Sequence, residues 1–508
     1  MADYDAIIVG AGHNGLAAAM VLGRAGWKVL VLETSDVPGG ASKSRELTLP
    51  GYIHDMHAAN IGFFLGSDTF ADFKDEMFAN GFNIACGDQP FASTFPDGDA
   101  VCGYTDHEKM MAELARHDPA DAQAWADLLQ EFSKLSGPIL QVLKMPMPST
   151  SLLRQMYKVY RTLGASDFWD MAQILLSSSR SFTDSRFKSE KVKALFTPWG
   201  FHLDQAPDIA GGAMFPYLEV PLDCVNGLAF SAGGIGRMMD SMVAIVKRQG
   251  GDVRMNSSVT SIPVDKGRAV GVVLQDGTRL SAKKAVIASV TPPKLFGSLV
   301  AESDVPIGFM KKVHGFRYSA GATLMIHLAL DGPVPWTAPE CGRAGTVHLG
   351  ATLEEIVASE HAAAHGQIAE RPYVIVAQQS LFDPTRAPDG AHTLWGYCHV
   401  PNGSTVDMTE RIEAQIERFA PGFRDRIIGR STLTPADFHA SNANFIGGDI
   451  NAGAQDIRQI FTRPVPRYDP YSTPNPRLYI CSASTPPGGG VHGMGGYHAA
   501  RSALRRAW

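Results

Sequence analysis

The hydrophobic pattern changes period twice within the first 33 residues. An apolar run over residues 4–9 predicts a strand, the turn Gly10-Ala11-Gly12-His13-Asn14-Gly15 opens a helix, and a second apolar run over 28–32 ends at Glu33. A similar change of period returns later. Gly233-Gly234-Ile235-Gly236 precedes a helix over 237–248, and short strands over 269–274 and 285–288 flank the turn Asp276-Gly277. Residues 322–330, 373–378 and 393–400 read as strands, and 410–419 as an amphipathic helix with Ile412, Ile416 and Phe419 on one face. Near the end, 478–484 reads as a buried strand, and the glycine-rich loop over 485–496 opens a last helix. Residues 105–200 are helix-rich. Residues 201–230, with Pro216-Tyr217, Pro221 and Asn226-Gly227, predict a loop-rich lid or pocket wall.

These elements predict an α/β fold in which a nucleotide-binding domain is assembled from distant segments. Its parts are residues 1–70, 231–300 and 436–508. A helix-rich insertion and cap occupies 71–230, and a mixed α+β substrate domain 301–435. The apolar runs after 268 need cover on both faces, which places them in the first sheet. No internal repeat or low-complexity linker interrupts the chain.

At 508 residues and 45% hydrophobic content the chain can bury two interleaved cores, and its net charge of −6 argues against general nucleic-acid binding. The six cysteines are scattered without a C-x-x-C pair, which fits reduced thiols in a cytoplasmic protein and excludes dithiol chemistry of the disulfide-reductase kind. The N-terminal apolar run lacks a charged leader and breaks at Gly10, and no segment reaches 18 uninterrupted apolar residues. Residues 152–161 set Arg154, Lys158 and Arg161 among Leu, Met and Tyr. Two readings of that face stay open, a solvated basic helix or a peripheral contact with lipid headgroups.

The first 42 residues carry the clearest chemistry. Gly10 permits the tight turn, Gly12 lets the backbone approach a pyrophosphate, and Gly15 lets the helix pack on the strand. Glu33 stands where a carboxylate accepts both ribose hydroxyls and would repel a 2′-phosphate. The pair Gly39-Gly40, followed by Ala41 and Ser42, gives a second close backbone approach and favours FAD over NAD. At the other end, bare glycine backbone before a helix N-terminus suits the electron-rich end of a flavin. Gly233-Gly234-Ile235-Gly236 lacks the spacing and the acid of a second dinucleotide site, so the reductant is expected to be the organic substrate. No metal-ligating, P-loop or serine-hydrolase pattern competes. His492 in the C-terminal loop, His57 and His202 are the candidate acid–base residues; each also has a structural reading as a backbone-bonded or ordinary polar histidine. Trp199 and Tyr217 are candidate substrate walls, although aromatic clusters are commonly core.

The run Gly-Ala-Gly-His-Asn-Gly-Leu at 10–16 and Pro-Gly-Gly-Gly-Val-His-Gly at 487–493 resemble the phytoene desaturase, carotenoid isomerase and PYROXD2-like oxidoreductases, the last branch most of all. Amine oxidases usually carry Arg after the glycine pair, where this chain has Ala41. The resemblance implies a Rossmann-type FAD domain of the amine oxidase and phytoene desaturase superfamily, with His13, Asn14, Ser484, Gly489, Gly490 and Val491 also at the cofactor. It places the backbone of Val259 at adenine and brings the stretch holding His54 and His57 toward the flavin. It further implies oxidation of a C–H bond in a largely apolar small molecule, with hydride passing to the flavin and then to O2 or a quinone. Redox-neutral isomerisation on reduced FAD is one alternative; a non-enzymatic escort protein of the same fold is another. Oligomeric state stays open.

Overall fold

The computed structural model describes residues 4–143, 145 and 149–507. Five parallel strands from four distant parts of the chain form the heart of the first sheet. Tyr4–Val9 pairs with Val29–Leu32 on one side and Arg279–Ala288 on the other; Asp252–Arg254 and Leu478–Ile480 extend the two edges. Gly271–Leu274 adds antiparallel to the first half of Arg279–Ala288, and Val259–Ser261 adds antiparallel to Gly271–Leu274. Tyr4–Val9 and Val29–Leu32 are buried almost throughout because helices cover both faces, as apolar runs of this kind require.

The helices His13–Arg24, Ile235–Arg248 and Met494–Arg506 pack together on one side of this sheet. Glycine sets the closeness of that packing. A Cβ on Gly15 would lie 2.0 Å from the carbonyl oxygen of Gly10, and one on Gly496 would lie 1.7 Å from that of Asn14.

The second sheet runs Ile427–Leu433, Gly321–Leu330, His392–Pro401, Val374–Ala377, Thr346–Leu349, Phe91–Thr94 and Ala100–Cys102. The last two strands come from the segment expected to be helical insertion, so this sheet draws on both of the expected non-nucleotide segments. Alternation sorts its faces: Leu324, Ile326, Val374, Val376 and Cys398 share one core with the helix Thr409–Phe419, while Met325, Ile375, Ala377 and Tyr397 point the other way. Helices between His107 and Phe196 cap the second core.

Three local expectations need correcting. Residues 201–230 are largely helical: Thr197–Leu203 is a 3₁₀ turn and Met214–Asn226 an α-helix. Pro216 falls in the first turn, where its missing N–H has no intrahelical partner to lose. Pro221 lies inside the helix, and burial of Tyr217, Leu218 and Val220 offsets its lost bond. The strand at 478–484 stops at Ile480, because the Ser482 hydroxyl and carbonyl take the Ser484 N–H and the Thr485 N–H and hydroxyl into a turn. The strand expected over 269–274 is broken at Val270: Ala269 pairs with Val264, whereas Gly271–Leu274 pairs with Arg279–Ala288.

Candidate active site

A cavity of about 620 Å³ runs from the C-terminal ends of the parallel strands to the second sheet. One end of it is the nucleotide cradle. Gly10, at φ +97°, turns the chain out of the first strand, and the Glu33 carboxylate accepts N–H groups of Ala11 at 2.7 Å and Ser35 at 2.9 Å while still facing the cavity. Val259 and Ser289 form the opposite wall. Gly39 donates to the carbonyl of Ala11, so the two glycine turns meet; a Cβ on Gly40 would stand 3.2 Å from Cα of Gly12. Gly12, Gly40 and Ala41 therefore offer bare or nearly bare backbone to the cavity beside Asn14, which fits a pyrophosphate passing between them. Gly15 and Gly39 shape these turns from outside the lining, and Ser42 is fully buried behind it.

The far end of the cradle is the C-terminal loop. Gly490, Val491, Ser482 and Ala483 face the cavity, and His13 lies beside them with its ring edge-on to His492 at 6.2 Å. Gly489 stands outside the lining, its N–H given to Gln455, and so does Ser484, whose hydroxyl donates to the carbonyl of Ala452. His492, expected within reach of the ring, is also outside. Its Nδ1 accepts from the Met494 N–H at 3.0 Å and its Nε2 donates to the Gly488 carbonyl at 3.2 Å. Both nitrogens thus brace the loop, and burial holds the ring neutral, with a pKa of about 4. Buried Arg463 ties the same loop to its neighbour by donating to the carbonyls of Ala483, Ser484 and Asn451.

Beyond the cradle the walls turn aromatic. Trp199 stacks on His202 at 4.7 Å, and Phe63, Phe215, Phe230, Trp395, Tyr397 and Phe445 complete the arm. His202 lines this arm with its Nε2 3.2 Å from Nε2 of His348, and burial pushes its pKa well down. His57 faces the cavity between Phe438 and Phe445; its Nε2 meets Ser441, whose hydroxyl already donates to Phe438, and burial followed by His327 and Lys43 lowers its pKa to about 3. Tyr217 does not reach the cavity. It is wholly buried in the helical cap against Phe132 and Phe182.

Sequence reasoning missed Lys43, Asn60, Glu219 and Arg463. Glu219 lies on Met214–Asn226, 2% exposed, and its carboxyl reaches the cavity wall beside Asn60 and Gly62. Burial pushes it up to about 8, and Asp223, one turn further on, is raised by burial and by Glu219. A charged residue in the apolar run 215–221 was the available signal. Arg463 sits in a loop without periodicity and offered none. Among the described residues no His, Cys, Asp or Glu group could hold a metal.

The turn at 233–236 has its N–H groups consumed internally. Gly233 donates to Asp383, Gly234 to the carbonyl of Ser231, Ile235 to Asp55 and Gly236 to Ser44. No N–H is left there for a second phosphate.

Residues 15–507 match the family of flavin-containing amine oxidoreductases. Pyridine nucleotide-disulfide oxidoreductase domain-containing protein 2 of Rattus norvegicus is 26% identical, covering 99% of this chain and 94% of its own length. The neurosporene-forming phytoene desaturase of Rhodobacter capsulatus is 27% identical over 96% of this chain and 91% of its own. Among solved structures, an oxidoreductase from Methanosarcina mazei superposes with a TM-score of 0.65 at 17% identity, covering 98% of this chain and 99% of that one. Ala41 in place of arginine therefore does not remove the chain from the wider family. A turn-and-acid cradle joined through one cavity to the C-terminal glycine loop is what an FAD enzyme needs, and the chain belongs to the flavin-containing amine oxidoreductase family as an FAD-dependent oxidoreductase.

Proposed function

We propose that this cavity oxidises a C–H bond of a largely apolar organic molecule, leaving a new double bond, with O2 or a quinone as the final acceptor. The observation that carries the reading is the aromatic arm. It opens onto the same cavity as Gly490 and Val491, and beyond the cradle its titratable side chains are His57, His202, Glu219 and Tyr397. Three of these are held uncharged by burial. The Gly12 turn, Glu33 and the Gly490 wall would hold FAD, which would supply the hydride acceptor. Glu219, in its carboxylate form, takes the proton from the neighbouring carbon, and the electron pair left behind becomes the double bond. The aromatic faces orient the substrate and exclude water.

An apolar substrate arrives from a lipid phase. Among the described residues no helix is long and apolar enough to cross a membrane. On Thr150–Leu163, Leu153 is 67% and Tyr157 63% exposed, alongside exposed Arg154, Lys158 and Arg161. We assign this face to peripheral contact with an anionic lipid surface in the cytoplasm.

The test is an anaerobic visible spectrum of the purified flavoprotein with apolar unsaturated hydrocarbons, phytoene among them, and separately with NADH and NADPH. Bleaching by an organic probe, reversed by air, supports the proposal. Bleaching by nicotinamides alone overturns it.

A further inference from the structure

Lys43 is a buried cation with no carboxylate at ion-pair distance among the described residues. It follows the Gly39-Gly40 turn, is 4% exposed and lines the cavity. Among the described residues its ammonium has no hydrogen bond or ion pair. The two nearby carboxylates are engaged elsewhere: Glu33 accepts from Ala11 and Ser35, and Asp36 pairs with Arg45. Cγ of Lys43 passes 3.1 Å from where a Cβ of Gly39 would stand, and Gly39 is the residue bridged to Gly12. The charge also acts on His57 on the flavin side and is acted on by Glu33 on the ribose side. The Lys43 side chain thus leaves the backbone beside Gly39, the residue bridged to Gly12, and its charge is felt by both the ribose acid and His57. Burying an ammonium is costly unless an anion pairs with it, and among the described residues no carboxylate reaches ion-pair distance; Glu33 and Asp36 act on it only from further off.

We propose that Lys43 is the cation that receives a diphosphate at the Gly12–Gly40 approach, and that the ligand completes the ion pair the fold leaves open. The assignment deepens the FAD reading by naming the residue that holds the pyrophosphate, and it makes the diphosphate part of what stabilises this loop. Ammonium and bare N–H groups divide the work: the glycine backbone donates directionally, and Lys43 neutralises charge.

The experiment titrates flavin-free protein with ADP and with adenosine by calorimetry, in the wild type, Lys43→Met and Lys43→Arg. The wild type is expected to prefer ADP. Lys43→Met should lose about 10- to 100-fold in ADP affinity with adenosine affinity unchanged, and Lys43→Arg should restore most of the loss. Unchanged adenosine binding shows that the cradle of Lys43→Met is folded. Retention of the ADP preference in Lys43→Met, or its absence from the wild type, would overturn the proposal. A wild type that prefers ADP through Lys43 but takes up no FAD would uphold the diphosphate site and count against the flavin reading.

Discussion

Glu219 is the side chain on which the proposed chemistry turns. A carboxyl inside an aromatic wall is held mostly protonated at neutral pH, and the fraction ionised grows as pH rises through about 8. Glu219→Gln should keep FAD and the fold but slow anaerobic flavin reduction by about 10²- to 10⁴-fold. The wild-type rate should climb through pH 8 and the variant's should stay flat; a variant whose profile still climbs there would remove Glu219 from the reaction. Stability gives a second reading. A carboxyl whose folded pKa lies above its unfolded value costs stability progressively as pH rises toward 8, so Glu219→Gln should melt higher than wild type at pH 9. At this scale the cradle was legible, whereas on the reaction arm the sequence singled out Trp199, His202 and His57 but not Glu219. Gly10, Gly12 and Glu33 act through local geometry, which spacing along one strand–turn–helix unit reveals. Glu219 and Lys43 matter because of what the fold brings around them, and the roles of His492 and Tyr217 were decided by backbone partners and packing distant in sequence.

Elements are locked to one another by buried charge as well as by packing. Arg386 donates to Asp55 at 2.9 Å, to Asp383 at 2.8 Å and to the Ser231 carbonyl, with all three side chains at most 2% exposed. Asp55 and Asp383 in turn cap the 233–236 turn, so one arginine joins the Ile53–Asp55 strand, the Ile235–Arg248 helix and the second sheet's loop. Arg386→Met leaves two buried carboxylates unpaired and should cost about 3–5 kcal/mol, read from urea unfolding; a loss under 1 kcal/mol (about fivefold) would show that the network is not structural. Gly496→Ala should destabilise by about 1–3 kcal/mol and weaken FAD retention, because the new methyl displaces the last helix from the first. Long periodic elements were readable from the sequence. Those that failed did so for two different reasons: tertiary burial kept Pro221 inside a helix, and local hydrogen bonds to Ser482 ended a strand early.

The whole molecule carries an imbalance of buried histidines. His13, His54, His57 and His348 have pKa values lowered to about 3, and His327 and His492 to about 4, with burial the first cause in each. A base with a depressed folded pKa contributes stability above its unfolded value near 6.5 that is lost as pH falls toward the folded value. The melting temperature should therefore drop steeply between pH 6.5 and 4. His399 works in the opposite sense: Glu360 and Asp204 outweigh its burial and raise it to about 10, so its contribution is present below pH 6.5 and fades toward 10. A flat melting profile from pH 7 to 4 would contradict this arrangement. The interleaved architecture was legible because each return to the first sheet carries an apolar run and a glycine turn. The strands Phe91–Thr94 and Ala100–Cys102 were too short to show a period, so the second sheet's true extent was hidden. The central claim, that a two-electron oxidation builds a double bond in an apolar substrate, is met most directly by a single anaerobic turnover analysed by mass spectrometry. The expected result is one product molecule lighter by two hydrogens for each flavin bleached. A product of unchanged mass formed while the flavin keeps its redox state would contradict the claim and make the enzyme an isomerase.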